Sequence, residues 1–188
     1  EVVVPDYVCR SVLNAVQYVG ARPVICDIEY DTYNLSLKEV KKKISKKTKV
    51  IIVVHLFGCP VPLDEFKGLG IPIIEDCAQA IGATYKGKRV GSWGDVSIFS
   101  FEGTKVITTG EGGMVLANTK KIFNRLKSLK NLYSKKEKIT YPYRMSNIQA
   151  ALGVAQLSKL DMLNKKRISN AEYFNKKISN DKLITPRK

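Results

Sequence analysis

Apolar residues along this chain fall into two patterns that alternate. Short continuous runs form the first: VVV at 2–4, PVICDI at 23–28, VIIVVHL at 50–56, IPIIED at 71–76 and VSIFSF at 96–101. Short runs this rich in apolar residues read as strands, and VIIVV at 50–54 is of the kind buried on both faces of a sheet. Between them lie segments with apolar residues at helical spacing. One extends from Cys9 to Val19 and stops at Gly20, a residue free to take the left-handed conformation that closes helices. Another opens at Ser36, with Glu39 three residues on, a reciprocal capping pair ahead of a basic helix. A short helical turn is predicted over 64–70. Strand alternating with helix predicts an α/β fold, a three-layer sandwich around a mostly parallel central sheet.

The pattern changes after residue 84. Turn formers fill 84–91. Strands at 96–101 and 114–118 then follow each other without a helix, so the sheet is expected to gain an antiparallel element. A basic amphipathic helix is predicted over 118–132. Ser146 and Gln149 form a second capping pair, opening a helix expected to run to about Ile178. A helix that long suits a spine joining two domains. The chain opens on EVVVPDY, without an initiator Met and in what reads as the middle of a strand, and it stops at LITPRK. Both ends suggest a fragment.

Composition narrows the functional classes. The 188 residues are 44% hydrophobic, enough for a sizeable core. No apolar run is long enough to cross a bilayer, and the start lacks the basic and apolar regions of a signal peptide. Four cysteines, at positions 9, 26, 59 and 77, are widely spaced with no C-x-x-C pair, which argues against a zinc site and a disulfide framework. A reducing, cytoplasmic setting is the simpler expectation. The formal net charge is +15. It either attracts a polyanion or reflects a lysine-rich solvated surface. The lysines cluster on exposed helix faces and no nucleic-acid-binding motif accompanies them, so the second reading is preferred.

In parallel sheets the ligand site lies at the carboxyl ends of the strands. Asp76, His55 and Ser100 all fall there. Lys105 stands alone in an apolar and glycine-rich run, SFEGTKVITTGEGG at 100–113. A buried lysine needs a partner or a task. Lysine can attach an aldehyde cofactor, a carboxylate such as Asp76 can hold a pyridine nitrogen protonated, and hydroxyls and backbone N–H groups can bind a phosphate. Spacing alone does not establish this.

Four motifs do more: EDCAQAIG at 75–82, GSWGD at 91–95, SFEGTK at 100–105 and TGEGG at 109–113. In this order they strongly resemble the DegT/DnrJ/EryC1/StrS family of aminotransferases of nucleotide-linked sugars, which depend on pyridoxal 5'-phosphate (PLP). The flanking VPDY at 4–7 and YRMSNIQAALGVAQL at 143–157 extend the resemblance over nearly the whole chain. It implies Lys105 as the catalytic and cofactor-carrying lysine, Asp76 as the pyridinium partner, Gln79 beside the cofactor ring and Ser100 at its phosphate, with no metal. It implies an amino donor such as glutamate, a nucleotide-linked keto-sugar as acceptor, and a homodimer with no membrane or nucleic-acid partner. Relatives with histidine in place of the lysine are sugar dehydratases, so Lys105 favours transamination. Residues 1–145 are then expected to be part of the large PLP-binding domain. Residues 146–188 would be a long helix leading to a small C-terminal domain that is mostly absent.

Three departures qualify the resemblance. The family's upstream phosphate-binding turn lies before this chain begins. Its often aromatic ring-stacking position falls on Cys9, with Tyr7 as the neighbouring alternative. Its Y-N-Y-R segment reads YPYR at 141–144, and Pro142 has no amide to offer a phosphate. The alternative reading is a catalytically silent member that keeps the fold without turnover. For the remaining candidates the bland readings are preferred: His55 as a strand-end structural residue, Trp93 as packing, the 110–113 glycines as a tight turn. Asp76 is also placed to cap a helix over 77–82.

Overall fold

The computed structural model describes residues 1–178 together with 183 and 185. A six-stranded sheet forms its centre, in the order β2 (Pro23–Cys26), β1 (Val2–Pro5), β3 (Val50–Val54), β4 (Ile73–Asp76), β7 (Val96–Ser100) and β8 (Gly113–Ala117). The first five are parallel, and β8 runs antiparallel to β7. This is the mostly parallel α/β sheet expected, including its antiparallel element. The turn-rich stretch between β4 and β7 forms a small hairpin, β5 (Thr84–Tyr85) with β6 (Lys88–Arg89).

Side chains alternate across the sheet, and each face builds its own core. Val3, Ile51, Val53 and Ile73 pack with Val40 of α2 (Leu37–Lys43) and with Leu63 and Phe66 of α3 (Leu63–Lys67). Val4, Ile52 and Val54 pack on the opposite face with Val12 and Val16 of α1 (Arg10–Tyr18). The continuous apolar runs in the sequence have this cause. Because β1 is flanked by β2 on one side and β3 on the other, the strand order reverses between β1 and β3. Such a reversal opens a crevice at the carboxyl ends of the strands.

Local chemistry sets the helix ends. Gly20 follows α1 with φ +69. Ser36 accepts the Glu39 N–H at the start of α2, while the Glu39 carboxylate pairs with Lys42. The basic helix α4 (Lys120–Lys130) is capped by Thr119, which accepts the Ile122 N–H. At Ser146 both halves of the capping box are present.

Two expectations need correction. The single helix predicted from 146 to about 178 is two, α5 (Asn147–Leu157) and α6 (Leu160–Lys177). The Ser158 hydroxyl donates to the Ala155 carbonyl, competing with the backbone ladder, and no glycine or proline marks the joint. Nor is there a helix over 77–82: the segment is a chain of turns, in which the Cys77 carbonyl accepts from Ala80 and the Ala80 carbonyl from Ala83. Part of the region expected beyond α6 lies outside the described residues. Helix α6 is fastened to those turns. The Asn164 amide donates to the Ile81 carbonyl at 3.0 Å, and Arg89 links the Gly82 carbonyl to Asp161. Among the described residues no helix is long and apolar enough to cross a membrane.

Between β6 and β7 the chain turns at Gly91, with φ +85. A Cβ there would lie 2.5 Å from the Phe99 ring and 3.3 Å from the Cys77 sulfur. Gly91→Ala is therefore expected to lose about 2–4 kcal/mol, the cost of a left-handed non-glycine residue plus overpacking. The check is urea unfolding followed by circular dichroism. A loss below about 0.5 kcal/mol would contradict this packing.

Candidate active site

Strand β4 ends in two carboxylates that point to opposite faces. Glu75 points into the α2–α3 core, with its side chain fully buried. It accepts from His55 Nε2 at 3.1 Å and from the N–H groups of Gly91, Trp93 and Gly94 at 2.6, 2.7 and 2.5 Å. Burial pushes its pKa up, but His55 and the three N–H donors outweigh this and hold the carboxyl below its ordinary value. His55 Nδ1 accepts the Val61 N–H, so the ring proton sits on Nε2, facing Glu75.

Asp76 emerges on the other face, 6% exposed. Its Oδ1 accepts the Ala78 N–H at 2.9 Å, in a turn rather than a helix cap. Burial raises its pKa, and Ala78, His55 and Lys105 offset this only partly. None of the six ion pairs among the described residues includes it. It is a buried carboxylate that lacks a direct cationic partner.

Lys105 reaches the same region from the loop after β7. That loop is closed at its base, where Phe101 N–H donates to Gly112 and Thr109 N–H donates to Phe101, both at 2.9 Å. Inside it, the Glu102 carboxylate holds the Thr104 N–H and hydroxyl, and the Lys105 N–H donates to the Glu102 carbonyl. The positive charge of Lys105 is felt at both Asp76 and Cys9. Cys9 caps α1, and its sulfur accepts the Ser11 hydroxyl at 3.2 Å. The Ser11 side chain and backbone pull the thiol below its ordinary value, and Lys105 adds to this.

Ser100 is the last residue of β7, opposite Gly113. Its hydroxyl accepts the Glu102 N–H at 3.4 Å. Gln79 is engaged elsewhere: its Oε1 accepts the Phe57 N–H at 2.9 Å. The 109–113 turn is locked from outside, because Gln149 of the α5 capping box also donates to the Glu111 carbonyl. A Cβ on Gly112 would lie 2.4 Å from Thr109 Oγ1, so only glycine fits.

Sequence reasoning thus placed Asp76, Ser100 and Lys105 at one end of the sheet, and the structure brings Asp76, Lys105 and Cys9 within electrostatic reach of one another. It missed Glu75 and Asn34. Glu75 stood in the sequence as an acid closing an apolar strand, a signal of a buried partner. Asn34 gave none, yet its buried amide accepts from Leu56 N–H and donates to the Cys59 carbonyl, clamping the loop after β3. His55, Glu75 and Cys77 also place ligand-type atoms within 4.8 Å of one another. Glu75 is saturated with donors, His55 has both nitrogens engaged, and burial pushes the Cys77 thiol far up. The cluster is a structural knot.

Comparison with known proteins identifies the family. The model of the DegT/DnrJ/EryC1/StrS aminotransferase family matches residues 1–187. GDP-perosamine synthase of Escherichia coli O157:H7 is 40% identical over 189 residues, covering 95% of this chain and 52% of that protein. An aminotransferase from Psychrobacter cryohalolentis superposes with a TM-score of 0.88 at 32% identity, over 99% of this chain and 53% of the other. The putative sugar aminotransferase Spr1654 from Streptococcus pneumoniae, in its PLP form, gives 0.81 at 28% identity, over 90% and 52%. The chain spans about half the length of the curated relatives it matches.

Glu75→Gln is expected to cost about 2–4 kcal/mol in urea unfolding at neutral pH, because His55 and three buried N–H groups lose a charged acceptor and the amide NH2 turns a donor toward donors. A folded pKa below the unfolded value of 4.5 means that Glu75 stabilises above 4.5 and stops doing so as pH falls through its folded value. The variant should therefore lose less stability than the parent on acidification below pH 5. An identical acid slope in both proteins would contradict the role given to Glu75.

Proposed function

Because the chain belongs to the DegT/DnrJ/EryC1/StrS aminotransferase family, we propose that it is the cofactor-binding core of a PLP-dependent aminotransferase. Its substrates are an amino-acid donor such as glutamate and a nucleotide-linked keto-sugar, and its product serves polysaccharide or antibiotic assembly. The observation that carries this reading is the pairing of a buried, cation-free carboxylate with an isolated lysine across one crevice.

These residues fit the cofactor. Asp76 is short of a cation, and a protonated pyridine nitrogen supplies one where burial has made an unpaired carboxylate costly. Lys105 is the attachment point. Ser100, with the N–H groups of the 110–113 turn nearby, is the phosphate contact. When bound, the cofactor supplies an electron sink for charge developing at a carbon next to nitrogen. Asp76 would hold the cofactor's pyridine nitrogen in its protonated form. Lys105 Nζ would be the general base that takes the proton from the donor's α-carbon and the general acid that delivers one to the sugar carbon receiving nitrogen. Gln79 would act indirectly, by fixing the loop after β3 through its bond to the Phe57 N–H.

We take the assembly to be a homodimer. The exposed apolar side chains of β8 and α5, among them Met114, Leu116, Ile148 and Val154, are in keeping with this. A silent homologue is the second reading. It is favoured by Pro142, which cannot donate to a phosphate, and by Cys9, which offers a ring less surface than an aromatic would.

Incubation with PLP, borohydride reduction and peptide mapping test the assignment. One pyridoxyl group per chain on Lys105 is expected, and none there in Lys105→Ala. Labels scattered over surface lysines would overturn it. Asp76→Asn should lower PLP affinity at least tenfold without unfolding the chain. The raised folded pKa of Asp76 means that its stabilisation is complete below the unfolded value of 3.8 and is lost as pH rises through the folded value. Without cofactor, Asp76→Asn should therefore equal or exceed the parent in stability at neutral pH. A clear loss in thermal denaturation would contradict this.

A further inference from the structure

Three aromatic rings stand together at the mouth of the crevice. Tyr7 lies just beyond β1, Tyr33 in the loop after β2, and Phe57 in the loop after β3. The Tyr7 and Tyr33 centroids are 5.8 Å apart, and those of Tyr33 and Phe57 are 6.3 Å apart. Around half or more of each residue is open to solvent: 53%, 48% and 67%. They span the strands on either side of the β1/β3 reversal, where this type of sheet takes its ligands. The triad adjoins the proposed cofactor site at both ends. Tyr7 is two residues from Cys9, and the Phe57 N–H is bonded to Gln79.

Two of the three rings are held at a cost. Tyr33 has φ +58 and Phe57 φ +54, the left-handed region that bulky side chains avoid. The only other described non-glycine residue with positive φ is Lys86, in the turn of the β5–β6 hairpin, where such angles are usual. Nothing about the loops after β2 and β3 requires an aromatic there, since asparagine or glycine would take these angles with less strain. The surroundings enforce them. The Tyr33 N–H donates to the Glu29 carbonyl at 2.9 Å, and Glu29 N–H returns a bond to Asn34. The buried Asn34 amide then spans Leu56 and Cys59, so the same residue sets both loops. Gln79 fixes Phe57 from the other side. Strain kept by such a clamp, on side chains with little core to fill, points to a binding role.

Resting on the aminotransferase reading, we propose that Tyr7, Tyr33 and Phe57 form the stacking surface for the planar base of the nucleotide-linked sugar. The base is the end of that substrate farthest from the reacting carbon, and the triad stands on the loops after β1, β2 and β3, whereas Lys105 stands on the loop after β7. Aromatic faces bind bases with little regard to their identity. Placed here, they hold the substrate by its handle while the sugar reaches the lysine.

The test is calorimetric titration of the chain with GDP, and with inorganic pyrophosphate as the probe that lacks a base. GDP is expected to bind at least tenfold more tightly than pyrophosphate, in line with one stacked base. The double variant Tyr33→Asn/Phe57→Asn should bind GDP only as well as pyrophosphate, with pyrophosphate affinity unchanged. The same variant should melt at a higher temperature, because asparagine accepts φ near +55. Tyr33→Phe should retain GDP binding. A purely structural triad would instead lower stability when replaced. The proposal is overturned if the parent binds GDP no better than pyrophosphate, or not at all, or if the double variant keeps its preference for GDP. A changed oligomeric state with unchanged GDP binding would make the triad a subunit contact and also overturn it. Pyridoxyl labelling of Lys105 on the same samples separates the two readings. Intact labelling without a GDP preference rejects the stacking surface alone, and a GDP preference without labelling rejects the cofactor assignment alone.

Discussion

A single carboxylate without access to water organises this end of the sheet. Glu75 gathers His55 from beyond the end of β3 and three N–H groups of the 91–94 segment leading into β7. Backbone N–H groups buried in a core need acceptors, and a turn cannot provide them from its own ladder. A charged acceptor satisfies several at once and binds each more strongly than a carbonyl would. The carboxyl ends of β3 and β4 are therefore tied to the segment that enters the amino end of β7, by one fully buried side chain.

The pairing of Glu75 with Asp76 shows how a strand separates support from chemistry. Adjacent residues face opposite ways, so one carboxylate is saturated with donors and the next is left wanting a cation. Their acidities move in opposite directions for that reason. The saturated group fixes the backbone position of the unsatisfied one to within the tolerance of a strand, without competing for its partner.

Much of this was legible in the sequence because it rests on periodicity and on motifs. The apolar runs gave the parallel strands, the pairing of β7 with β8 followed from the missing helix between them, and Lys105 and Asp76 stood out as charges in apolar surroundings. The family resemblance supplied what spacing could not. The break at Ser158–Lys159 escaped notice because a serine hydroxyl turning back on Ala155 leaves no trace in composition. The turns over 77–82 read as a helix because Asp76 has the chemistry of a cap, whereas the chain closes successive turns from Ala80 to Cys77 and from Ala83 to Ala80. Asn34 was invisible because its role depends on a loop twenty-two residues away.

The loop that carries Lys105 has a mechanical consequence. Its two ends are pinned together by Phe101, Thr109 and Gly112, in continuation of the β7–β8 ladder. In the role proposed for it, Lys105 lets go of one bond and makes another, and that needs freedom of its own. Here that freedom stops at the pinned base. Rearrangements confined to residues 102–105, ahead of the buried Ile107, leave the strand register untouched, so the lysine can move at the pace of a surface loop, nanoseconds to microseconds, rather than at that of local unfolding. The moving part and its mounting belong to different time regimes, and the boundary between them is one pair of backbone hydrogen bonds wide.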